Sequence, residues 1–111
     1  MYGIVVFLEY IAELKTQIVF VIERELESLS VLDITKFREL QRIEGELLVL
    51  LDKAYRRVRM DASMIHRGSN DAVEKLSIAC IKFEKCLATK HDVVNNMQRV
   101  HGDVFCLAND L

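Results

Sequence analysis

Apolar residues recur three and four apart along most of the chain. The first series is Ile4, Phe7, Ile11, Leu14, Ile18 and Val21, spaced three, four, three, four, three. That spacing keeps all six on one face of a helix, in a heptad seam. Leu8, Ile22, Leu26 and Leu29 widen the face, and the pattern fades at Ser28 and Ser30. A second series runs Phe37, Leu40, Ile43, Leu47, Leu50 and Ala54, with Leu51, Val58 and Ile65 continuing a shifted stripe. In the third, Leu76, Phe83, Lys90, Met97, Val104 and Leu111 lie seven apart. Ala79, Cys86, Val93, Val100 and Leu107 fall three after the first five of these. Lys90 is the one polar residue in that third seam.

Two short stretches interrupt the periodicity. In SVLDITKF, Asp33 can accept from the unpaired backbone N–H groups of a following helix. In HRGSND, Gly68 suits a helix C-terminus, and Ser69, Asn70 or Asp71 can cap the next helix. The chain therefore reads as helices over about 4–29, 34–66 and 71–109. Short turns between them predict an all-α fold. It is an elongated, antiparallel, coiled-coil-like three-helix bundle forming a single domain over residues 1–111. At ~1.5 Å per residue the third helix would approach 60 Å and project beyond the first. Gly45, inside the second helix, either admits a close neighbour or is a weak spot. Lys90 either fixes register at some cost in stability or packs its stem while its ammonium reaches outward to water.

Composition narrows the class. Proline is absent and glycine occurs four times, so the usual punctuation of strands and hairpins is missing. The apolar share of 51% allows a substantial core in 111 residues. A formal charge of −2, with both signs mixed along the chain, supplies no basic stripe for nucleic acid or anionic membrane. Glu9 and Glu13 break the apolar opening, which also lacks a positive leader. No apolar run nears the ~20 residues of a bilayer span. These features predict a cytoplasmic protein, and the odd count of three cysteines predicts reduced thiols.

Candidate chemistry is sparse. Cys80, Cys86 and His91 crowd into CIKFEKCLATKH, but helical spacing sends them to different sides or far along the axis. One tetrahedral metal cannot be held by them alone, and Cys86 falls on the apolar seam. His66, His91 and His101 lack evident nucleophile and carboxylate partners in register. No phosphate loop or nucleophile elbow is present, so neither an enzyme nor a cofactor is expected. Lys53, Arg56, Arg57, Arg59 and Arg67 cluster near the end of the second helix, where cations complement the helix dipole. IVFVI (18–22) and LLVLL (47–51) are apolar on every side. A helix burying one stripe does not need that, so a second helix neighbour, a homodimer or a bound partner helix is expected.

The segment ERELESLSVLDITKFRELQRIEGELLVLLDK, with Asp33 at its turn and Phe37, Leu40, Leu47, Leu48 and Leu51 after it, resembles the FlgN-type flagellar export chaperones. The amphipathic third helix is similar in outline. Glu44 stands where that family often has lysine, and the asparagines of its third helix would fall near Lys90 and His91, with Asn95 and Asn96 close by. The resemblance implies a non-enzymatic cytoplasmic chaperone that shields an apolar helix of a hook-associated export substrate. The contact stripe would be Val93, Met97, Val100, Val104 and Leu107 on the C-terminal helix. The alternative is a self-associating structural or assembly bundle, its stripes paired between identical chains.

Overall fold

The computed structural model describes residues 2–60 and 70–100. They form three helices and no strand: α1 (Tyr2–Ser30), α2 (Ile34–Met60) and α3 (Asn70–Val100). The bundle is elongated, 51 × 21 × 18 Å. α1 is the shared member. It packs closely along both α2 and α3, whereas the backbones of α2 and α3 stay further apart. This explains IVFVI: a helix with two neighbours buries more than one stripe, and Ile18, Val21 and Ile22 are all buried. Phe20 alone in that run turns outward.

The turn between α1 and α2 closes as the aspartate suggested. The Asp33 N–H donates to the Ser28 carbonyl at 2.9 Å, and the Leu32 N–H donates to Leu29 at 3.0 Å. Together these make a Schellman cap. Leu32 holds the left-handed position at φ 55°, which glycine usually takes and which costs a branched residue roughly 1–2 kcal/mol. Asp33 then caps α2, its Oδ1 accepting from the Lys36 N–H at 3.1 Å. The proposed caps Gly68 and Ser69 lie outside the described residues. Asp71 stands in the first turn of α3, where its carboxylate pairs with Lys75 at 3.3 Å.

The core has two parts. The main cluster joins Ile11, Leu14, Ile18 and Ile22 of α1 to Leu51 and Ala54 of α2 and Phe83 of α3. A smaller cluster, Leu29 and Phe37, sits near the α1–α2 turn, with Ile34, Val93, Val94 and Met97 packed on it. On α2 the expected seam position Leu50 is 42% exposed, and Leu51 takes the core instead. The inward stripe follows Phe37, Glu44, Leu51 and Ala54, which are buried, with Leu40, Leu47 and Val58 half-buried between them, a strict three–four alternation that Ile43 and Leu50 do not fit. A Cβ built on Gly45 would meet nothing within 4 Å. The glycine admits no close neighbour and is a weak spot.

Candidate functional site

Three seam positions meet between the two clusters. Extending the α1 seam four residues past Val21 reaches Glu25, the α2 seam passes through Glu44, and the α3 seam carries Lys90. Lys90 donates to Glu44 Oε1 at 2.7 Å, and its Nζ lies 2.9 Å from Glu25 Oε1. Glu25 is fully buried, and the Lys90 and Glu44 side chains are only 14% and 9% exposed. The Phe37 ring lies 5.9 Å from the ammonium. Lys90 therefore points inward, and the expectation of an outward-reaching ammonium is corrected. The reason is local: two carboxylates at the same level offer better compensation than a partial water shell at the edge of the bundle.

Two carboxylates face one ammonium, so the layer is one cation short. The approach of Lys90 to Glu25 is close but poorly angled, and neither Glu25 oxygen receives a well-formed hydrogen bond. Burial, reinforced by the facing Glu44, raises the Glu25 carboxyl to about 8 against the pull of Lys90. At neutral pH Glu25 thus keeps its proton beside the charged Lys90. Burial alone would lower Lys90, but its bonds to Glu44 and Glu25 outweigh this and lift it above its usual value.

A second buried cation escaped the sequence reading. Lys15 is 4% exposed, and its Nζ lies 4.5 Å from the centre of the Phe83 ring and 4.9 Å from that of Tyr55. It fills the gap between α2 and α3 and offers its charge to two ring faces. Cys86 is half-buried, its thiol donating weakly to the Val19 carbonyl at 3.9 Å. Burial, then the carboxylates Glu23, Glu44 and Glu25, push that thiol up, which disfavours the reactive thiolate. Among the described residues, no group of three or more His, Cys, Asp or Glu side chains could hold a metal ion. Of the basic cluster, Arg56 pairs with Asp52 at 3.0 Å and Arg57 lies over the Phe7 ring at 5.1 Å.

The expected contact stripe divides three ways. Val93 and Met97 are half-buried against the Leu29–Phe37 cluster. Val100, one step further along the seam, is 60% exposed. Val104 and Leu107 lie outside the described residues. At the same end of the bundle the α1–α2 turn exposes Val31 and Leu32. Among the described residues the tip is thus a small apolar cluster, bounded on one side by the charged layer.

Two further features complete the surface. Val49 and Leu50 of LLVLL face outward on α2. A groove between α1 and α3, about 700 Å³ in its larger stretch, has Val19, Leu26, Ala79 and Cys86 among its apolar lining. Among the described residues no helix is long and apolar enough to cross a membrane. No protein-family model, curated protein or solved structure matches the chain.

Proposed function

We propose that this chain is a non-catalytic binding protein that takes an apolar helix of a protein partner at the tip of its bundle. The observation that carries this reading is the small Leu29–Phe37 cluster, whose outer edge leaves Val31, Leu32 and Val100 in water. Apolar side chains gathered and exposed at one end of a bundle mark an interaction site. An amphipathic helix laid there would extend the seam of Val93, Met97 and Val100 in the helix-in-groove manner. The finer reading is a cytoplasmic export chaperone shielding the apolar terminal helix of a flagellar hook-associated substrate. Its support is the resemblance around the Asp33 turn.

The test uses purified chain and a fluorescently labelled peptide carrying the C-terminal helix of a hook-associated export substrate. Val31→Asp with Val100→Asp changes only exposed positions, so circular dichroism should stay at the wild-type level. Binding should fall at least about tenfold, because each aspartate would be desolvated in the complex. Equal binding by the variant and the wild type sinks the tip as the site. A peptide that neither protein binds removes the export-chaperone reading.

The alternative is a self-associating structural or assembly bundle, its apolar stripes paired between identical chains.

A further inference from the structure

The α1–α3 groove has walls of opposite charge. On the α1 side stand Glu9, Glu13 and Glu23, and on the α3 side Lys75, Lys82 and Lys85. All six are exposed. The two stretches of the groove share Thr16, Ala79 and Lys82, so they form one continuous channel. Each stretch has acid on the α1 wall and base on the α3 wall. The charges do not neutralise one another across the gap. Lys75 pairs instead with Asp71 on its own helix, and Glu13 accepts from Gln17 on its own. Glu9, Glu23, Lys82 and Lys85 enter no ion pair among the described residues. Phe20 and Ile78 add apolar edges, 57% and 48% exposed.

We propose that a second copy of this chain docks on this groove, forming a parallel two-fold dimer. In an up-down-up bundle α1 and α3 run in the same direction. A two-fold axis along the helices lays α1 of one copy over α3 of the other at the same height. With Glu25 and Lys90 as the common level, Glu9 then meets Lys75 almost directly, and Glu13 and Glu23 each come within about one helical turn of a lysine, in both halves of the interface at once. A two-fold axis across the helices would set acid on acid and base on base, so the charge pattern selects the parallel arrangement. The apolar floor and the Phe20 and Ile78 edges supply the contact that those charged pairs flank. From Glu9 to Leu26 the walls run ~26 Å, and two helices ~10 Å wide give a footprint of ~500 Å² per copy, or ~1,000 Å² in total. That is the lower limit for a specific interface, so the dimer is weak and exchanges. It leaves the tip uncovered and is independent of partner binding there.

Sedimentation equilibrium tests the arrangement with two charge-reversed chains. One carries Glu13→Lys and Glu23→Lys; the other carries Lys82→Glu and Lys85→Glu. All four sites are exposed, so the fold should be kept, with circular dichroism as the check. The wild type should dimerise, more weakly as salt rises. Each variant alone should dimerise at least about tenfold more weakly, since like charges then oppose across the interface. An equimolar mixture of the two should recover a heterodimer at least as tight as the wild-type dimer. A wild type that stays monomeric up to its solubility limit overturns the proposal. So do variants that self-associate as the wild type does, or a mixture that stays monomeric. Binding of the hook-associated peptide at the tip should not change in either variant. Loss of the dimer with peptide binding intact therefore separates a failure here from a failure of the tip.

Discussion

Replacing Glu25 by glutamine should remove a pH dependence that runs opposite to ordinary acid denaturation. The folded chain holds Glu25 at about 8, whereas the ordinary value is 4.5. Between those two pH values the folded state binds more protons at this site than the unfolded state does. Stability must then fall as pH rises through that window, and below it the site is protonated in both states and contributes no slope. At 1.36 kcal/mol per pH unit, the ceiling on the loss above pH 8 is about 5 kcal/mol. The real loss should be smaller, of order 2–3 kcal/mol, because Lys90 and Glu44 at the edge of the layer retain some water and the effective dielectric there is well above that of a dry core.

Glutamine copies the shape and neutrality of a protonated glutamate but cannot ionise. Urea unfolding followed by far-UV circular dichroism, across about pH 5 to 9, gives both stability curves. Near pH 5 the two proteins should agree within about 1 kcal/mol. Toward pH 9 the wild type should weaken while the variant stays nearly level, and subtracting the curves cancels the titrating groups that lie away from the layer. Parallel curves over the whole range would refute the protonated layer.

Two other changes test the neighbouring claims. Lys90→Met keeps the stem but leaves the buried Glu44 without its cation, so it should cost about 3–5 kcal/mol at neutral pH; a urea midpoint close to wild type at neutral pH would contradict the ion-pair geometry. Gly45→Ala meets open space at its Cβ and should add up to about 1 kcal/mol, read as a rise in thermal midpoint; a fall would mean that another helix does approach there.

Much of the bundle was legible because burial tracks the heptad. Ile11, Leu14, Ile18 and Val21 are buried where the seam placed them, and so are Phe37, Ala54, Ala79 and Phe83. Asp33 was legible because capping is local, needing only a short acceptor before an apolar run. Leu50 misled because an apolar residue one step off the seam resembles one on it. The charged layer was half legible. Lys90 stands out as a polar break, while Glu25 and Glu44 lie hidden in seams that apolar residues alone define. Following the spacing rather than the chemistry would have placed all three at equivalent positions. Lys15 was not legible, since its cover comes from the gap between α2 and α3, a tertiary property with no local signal.

The charged layer also bears on why this sequence keeps one alignment. Heptad seams of similar residues can slide past one another by seven positions at little cost, since each leucine finds another apolar neighbour. Glu25, Glu44 and Lys90 forbid that slide. A shift of any helix by a heptad would pull one polar group out of the layer and set it among the main cluster around Ile18, Leu51 and Phe83, or in the small one around Leu29 and Phe37. Removing one partner from a buried pair costs about 3–5 kcal/mol, a large share of a small domain's whole stability. The arrangement is dearer than three apolar residues would be, and its proton at Glu25 shows that it is not even balanced. What it provides is alignment: the level of α3 against α1 is fixed at Lys90, and with it the pairing of Lys82 and Lys85 against the height of Glu13 and Glu23 along the groove. Both proposed surfaces depend on that level, the tip because it sets where Val100 ends relative to Val31, and the groove because it sets how the lysines of α3 stand against the glutamates of α1.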